Sequence, residues 1–284
     1  MEGKLDIDIL MITYNRPRYT RMALERLLKV SPQGTRVWVW QNGSHKETLE
    51  TVRSFAGHDR IERIHHSPEN QMLRGPTNWF WENAKGRLLG KVDDDCLMPP
   101  GWIETLWAVH ESNPRLGVIS CWPFLAEDYR PELAERKLCD LRGGGRLLCN
   151  CWTGGSGYLV KRKAIDESGG LQEGESFADF CIHLAKRGWR HGWYYPFLYM
   201  DHMDDPRSPN TEMTSEKHFR AAPSLSSRRF GTSSLEEMRS RAVQAAIDVQ
   251  AASPDVRHYI GWRRLVRRVK GRLSRHKRIV RFDA

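Results

Sequence analysis

The chain has 284 residues, 39% of them hydrophobic, with a mean hydropathy of −0.62. That length supports one large or two small domains with a buried core, and without a run of about 18 apolar residues no transmembrane helix is expected. The net charge is +10, but residues 255–284 hold 11 Lys/Arg against 2 Asp/Glu, so the basic character belongs to a tail and not to the body.

The opening "MEGKLDIDILMITYNRP" lacks a basic start, an apolar core and a small-residue cleavage site, so no signal peptide is expected. "LDIDILMITYN" alternates and then turns apolar, which reads as a buried strand ending in a polar loop. "RYTRMALERLLKV" has helical spacing at Met22, Leu24, Leu27 and Leu28. "RVWVWQNGS" is a second strand ending in Asn-Gly, and "KETLETVRSF" is helical. "IERIHHS" reads as a short strand, "PTNWFWENAKG" as a helix and "RLLGKVDDD" as a further strand. "GWIETLWAVHESNP" is a helix stopped at Asn113-Pro114, and "LGVISCWPF" a strand. Strands alternating with helices of this length indicate βαβ units and a largely parallel sheet, whose ligands bind at the strand C-terminal edge. "TYNRP", "QNGS" and "DDD" are all expected to meet there.

After Phe124 the pattern changes. "LAEDYRPELAERKLCDLRGGGRLL" is polar, carries three successive glycines, and reads as a mobile loop or flap. "CNCWTGGSGYLVKRKAI" resumes a glycine-rich turn and a strand. "ESFADFCIHLAKRGWRHGWYYPFLYMDH" gives a helix, a turn at Gly188 and a strand ending in Asp201-His202. The six cysteines (96, 121, 139, 149, 151 and 181) form no CxxC pair, so reduced thiols in a cytosol are expected. Residues 206–233 are rich in Ser, Pro and Arg and read as a polar, flexible segment. "SLEEMRSRAVQAAIDVQAA" is a helix with Ser234 as its cap and Glu236 and Glu237 in its first turn.

Asp93, Asp94 and Asp95 end a strand together. One reading is a helix N-cap cluster ahead of "GWIETLW". A cap needs one Asp, however, and the other two would repel. A hard divalent cation with a diphosphate answers that repulsion, because Mg²⁺ and Mn²⁺ take carboxylate and phosphate oxygens.

In order, "ITYNRP", "WQNGSHKET", "KVDDDCLMPPGW", "GGSGYLVKRKA" and "GGLQEGESFADFCIHLAKRGWRHG" resemble the family-two glycosyltransferases of the GT-A fold over about two thirds of the chain. The resemblance implies an α/β domain over 1–205, a Rossmann-type mostly parallel sheet with helices on both faces. The flexible segment and C-terminal helices over 234–284 would follow. It implies inverting sugar transfer from a nucleotide-diphosphate donor to a hydroxyl, with Mn²⁺ or Mg²⁺ stabilising the leaving diphosphate. Thr13, Tyr14, Asn15 and Arg16 would line the base pocket, with Gln41 and Asn42 beside the base. Arg74 would face the diphosphate. Asp93 and Asp94 would lie on the nucleotide sugar, and Asp95 and His202 on the metal. Two departures stand out: Gln41 replaces the Asp usual before "NGS", and Ser176 and Phe177 occupy the usual "ED" position. Asp179 is then the first candidate base and Glu175 the second. Trp152, ahead of the "TGGSG" turn, is the candidate for stacking on the acceptor.

The tail "HYIGWRRLVRRVKGRLSRHKRIVRF" places Trp262, Leu265, Val266, Val269 and Leu273 on one helical stripe among arginines. Such a helix lies on an anionic membrane surface or binds nucleic acid phosphates. Trp and Leu favour the membrane, and with it a lipid-linked or cell-surface glycan acceptor and a cytoplasmic, membrane-peripheral enzyme. The rivals are transfer to a modified base in phage-type DNA and a non-catalytic sugar-binding protein of the same fold.

Overall fold

The structure is a computed structural model and describes residues 5–221, 227–228 and 231–261. The proposed membrane helix of the tail falls almost wholly on 262–284, outside the described residues.

The first half builds as the periodicity predicts. It runs β1 (Ile7–Tyr14), α1 (Pro17–Val30), β2 (Thr35–Asn42), α2 (Lys46–Arg53), β3 (Ile61–Ser67), α3 (Arg74–Asn83), β4 (Leu88–Asp93), β5 (Cys96–Leu97), α4 (Trp102–Ser112) and β6 (Leu116–Ser120). The second half gives α5 (Pro131–Ala134), β7 (Leu138–Asp140), β8 (Arg146–Asn150), β9 (Tyr158–Lys161), α6 (Arg162–Ser168), α7 (Phe177–Lys186), β10 (Arg190–Tyr195), β11 (Asp201–His202), α8 (Glu216–Ala221) and α9 (Leu235–Ala251).

Nine strands form one sheet in the order β3-β2-β1-β4-β9-β6-β10-β8-β7, and β11 pairs with β5 in a separate ribbon. The β3-β2-β1-β4 half and the β6–β10 pair are parallel, while β9, β8 and β7 run antiparallel to their neighbours. β1 is buried on both faces, which is why its alternation dissolves into an apolar run. Ile7, Ile9 and Met11 pack with Leu24 and Leu27 of α1 and with Trp102 and Leu106 of α4. Leu10 and Ile12 pack on the other face with Phe80 of α3 and Phe180 and Leu184 of α7. The result is a helix–sheet–helix sandwich with parallel C-terminal ends opening on one edge.

The stretch after Phe124 is not the loop its polarity suggests. Leu138 and Leu148 are register partners across the β7–β8 hairpin, and Gly143, Gly144 and Gly145 all take positive φ in its turn. Leu148, Trp122, Trp193 and Val249 of α9 form a third apolar cluster over this end of the sheet. Lys137 fastens α9 there. Its buried ammonium donates to Asn150 Oδ1 at 2.8 Å, Val249 O at 3.1 Å and Ala252 O at 2.9 Å, supplying donors to the helix C-terminus. The described part of 206–233 packs back on the domain. Asp205 and Asp128 both hold Arg207, which spans the Asp128 carboxylate with two bonds of 2.8 Å.

Candidate active site at the sheet edge

The β1 loop turns sharply because Asn15 adopts φ 54°, after which Arg16 N-caps α1 and Pro17 opens it. The β2 loop lies against it: a Cβ on Gly43 would stand 3.2 Å from the Tyr14 ring and 3.4 Å from Asn15 Oδ1. The acid cluster joins both. The Tyr14 N–H donates to Asp94 Oδ2 at 3.0 Å, and Thr20 Oγ1 donates to the same oxygen at 3.4 Å. The three polar loops therefore converge. None of the three acids caps α4, whose N-cap is Gly101.

Each acid has a separate environment. Asp93 shares its strand face with Lys91, two residues before, and its carboxylate pairs with the Lys91 ammonium. That ammonium also donates to Gly155 O at 2.8 Å, and the Asp93 N–H donates to Ser156 Oγ at 2.8 Å. The "TGGSG" turn thus lies directly on the cluster. Burial raises the Asp93 carboxyl against the pull of Lys91. Burial likewise pushes Asp94 up to about 8, with Arg16 opposing and Asp95 and Asp93 adding repulsion.

Asp95 behaves differently. Burial opposes its ionisation, but His202 and Arg16 outweigh burial and hold the carboxyl well below its ordinary range. Its Oδ2 is 3.1 Å from Arg16 Nη1 and 3.7 Å from His202 Nε2. The other side of the Arg16 guanidinium donates to Asp204 Oδ2 at 2.9 Å. His202 arrives through the ribbon, register-paired with Cys96, and the Met203 N–H donates to Asp95 O at 2.8 Å. Burial lowers the His202 imidazole, but Asp95 reverses this and the pKa is pushed up to about 9.

Ligand atoms of Asp95, Cys96 and His202 lie within 4.8 Å of one another. The carboxylate is the oxygen donor that Mn²⁺ and Mg²⁺ take, and the imidazole adds a nitrogen donor of the kind later divalent metals favour. Burial keeps Cys96 a thiol, which a hard cation would not select. The donor set fits a divalent cation at Asp95 and His202.

The other sequence candidates fall in distinct places. Tyr14, Asn15 and Arg16 line a cleft of about 780 Å³ together with Asp204, Met213 and His218. Thr13 and Gln41 are register partners beneath the rim and fully buried. Asn42 is structural at its tip: its Oδ1 accepts from Trp40 Nε1 and Gln71 N, both at 3.0 Å, and its Nδ2 donates to Met72 O at 3.2 Å. Arg74 is exposed and heads α3. Trp152 is half-buried and meets Trp193 edge-on, 5.9 Å between centroids. Phe177 stacks on Tyr158 at 4.3 Å, and Tyr158 is the register partner of Lys91, so α7 begins at the acid-bearing edge. There Asp179 forms a capping box with Ser176, whose N–H donates to Asp179 Oδ2 at 3.2 Å. Glu175 pairs with His183 Nδ1 at 2.9 Å.

Sequence reasoning missed Lys91, Ser156 and Asp204. Lys91 carried a usable signal, since i and i+2 share a strand face; the acid density of "MDHMDD" was a second.

This sheet order, with an acid-tipped β4 beside β1, is a GT-A α/β fold. Residues 8–140 match the family model described as Glycosyl transferase family 2. The matched span runs from the second residue of β1 to the end of β7. The chain is 26% identical over 175 residues to the glucosyl-dolichyl phosphate glucuronosyltransferase of Haloferax volcanii. That match covers 58% of this chain and 56% of the relative, so little more than half of the relative's length is spanned. Among solved structures, the mannosyltransferase PcManGT from Pyrobaculum calidifontis, in complex with GDP-Man and Mn²⁺, superposes with a TM-score of 0.58 at 16% identity. It covers 89% of this chain and 77% of its own. S. aureus TarS 1-349 superposes with a TM-score of 0.54 at 13% identity, over 87% and 83%. At such identities the two structures speak for the fold alone.

Proposed function

We propose that the chain is a metal-dependent, inverting glycosyltransferase that moves a sugar from a nucleotide-diphosphate donor to a hydroxyl of a lipid-linked or cell-surface glycan precursor. The observation that carries this reading is the half-buried Asp95–His202 pair at the converging loops of the span that matches the family 2 model. The dolichyl phosphate in the Haloferax relative's name and the GDP-Man and Mn²⁺ in the Pyrobaculum complex support the substrate class and the cation. Bound at Asp95 and His202, Mn²⁺ or Mg²⁺ would supply positive charge against the departing diphosphate. Tyr14 and Asn15 would hold the base side of the donor, and Asp93, steadied by Lys91, its sugar–ribose side. Asp179, at the start of α7, would take the acceptor proton, with Glu175 as its substitute. The enzyme would work in the cytoplasm, peripheral to the membrane, with 255–284 as its basic contact. Among the described residues no helix is long and apolar enough to cross a membrane.

The test is a thermal-shift screen of nucleotide sugars with and without Mn²⁺. A donor that stabilises the protein only with Mn²⁺ is expected, and Asp95→Ala should abolish that shift. A shift that Asp95→Ala leaves intact rejects the metal assignment.

A further inference from the structure

Arg16 lines the cleft with Tyr14 and Asn15, but its guanidinium is already paired. Its side chain is 18% exposed and bridges two carboxylates, Asp95 at 15% and Asp204 at 5% exposure. The contact to Asp95 uses Oδ2, the same oxygen that faces His202. That oxygen and the imidazole are the pair a divalent cation would need. A cation bound there would stand beside a guanidinium that cannot lose its proton, and the two like charges would repel. Arg16 and the metal therefore compete for one oxygen.

The second anchor gives this competition a direction. Asp204 holds the opposite side of the guanidinium at 2.9 Å. It lies two residues beyond His202, and Tyr19 of α1 fixes that segment by donating to Met203 O at 3.0 Å. Arg16 can surrender Asp95 and remain paired.

We infer that Arg16 is the resident counter-cation of Asp95 in the free protein and a positioning residue for it, yielding Oδ2 to a divalent cation while staying on Asp204. This rests on the metal reading above and deepens it. With Arg16 present, the metal alone meets a site whose charge is already balanced. A diphosphate brings the negative charge that lets cation and arginine coexist. The device makes the metal bind better with the nucleotide than without it, and the coupling is reciprocal.

The experiment is calorimetric titration of Mn²⁺ into the full chain, with and without GDP or UDP. Wild type should bind Mn²⁺ weakly alone and much more tightly with a nucleoside diphosphate. Arg16→Gln, checked for a wild-type circular dichroism spectrum, should bind Mn²⁺ alone about tenfold more tightly and depend less on the nucleotide. Arg16→Lys keeps the charge but cannot span both carboxylates, and should fall between them; it serves if the Gln variant does not fold. Equal Mn²⁺ affinity in wild type and both variants overturns this inference and leaves the metal reading standing. Absence of Mn²⁺ binding to every variant, with either nucleotide, overturns both.

Discussion

At the scale of single residues, Asp8 shows how the fold treats a buried charge. It is fully buried in β1 and accepts from Arg36, from Trp38 Nε1 at 2.9 Å and from the N–H groups of Lys85 and Gly86. Burial alone would raise its pKa, but these donors hold it below the ordinary value. Asp8→Asn turns an amide towards donors, and about 3 kcal/mol of stability should be lost in urea denaturation at neutral pH. Asp179 poses the complementary question, because a capping box and a general base ask for the same side chain. Asp179→Asn should abolish sugar transfer while donor binding persists; a purely capping role would instead lower stability by about 1 kcal/mol and leave turnover intact. The loop motifs around Tyr14, Asn42 and Asp95 were legible because each is a short polar break after an apolar run. Asp204 was not: its role depends on how an extended segment without periodicity is laid against α1. Nor could Gln41 be seen as buried beneath the rim, since burial there comes from the register with Thr13.

Among the elements, legibility follows the source of stabilisation. β1, β2 and β4 announce themselves because burial on both faces demands apolar side chains. The β7–β8 hairpin does not, because Leu138, Leu147 and Leu148 are a few apolar positions in a polar stretch, although Leu147 and Leu148 are buried on opposite faces. Its attachment to α9 is equally obscure in the sequence, where Lys137 looks like any surface lysine. Lys137→Met should strand the Ala252 carbonyl and Asn150 Oδ1, while Val249 O keeps its bond from Asn150 Nδ2, and lower stability by about 1–3 kcal/mol. Amide exchange in the last turn of α9 should accelerate ahead of the rest of the helix.

For the whole molecule, acidity acts through groups of opposite sign. His110 and His191 are fully buried, and burial lowers each to about 3. His191 Nδ1 accepts the Val118 N–H at 3.0 Å, which requires the neutral ring. The unfolded chain takes up a proton near 6.5 and the folded one only near 3, so the contribution is intact above 6.5 and is lost as pH falls between those values. Asp94 and His202, both raised, contribute the other way and lose stabilisation as pH rises. A difference measurement separates the two. The stability gap between wild type and His191→Gln should narrow from pH 6.5 towards 3, by up to about 1.4 kcal/mol per pH unit. A gap independent of pH would mean that His191 protonates equally well in both states.

The β5–β11 ribbon joins positions about a hundred residues apart through two register pairs, Asp201↔Leu97 and His202↔Cys96. It is separate from the nine-stranded sheet. Its closure still carries apolar side chains inward: Cys96 joins the main core, and Leu97 and Met203 pack with Tyr19 of α1. His202 lies outside the span that matches the family, so that span carries the acids without the imidazole beside them. On the proposed metal reading, a substitution that weakens only the ribbon should leave the sheet folded while lowering Mn²⁺ affinity.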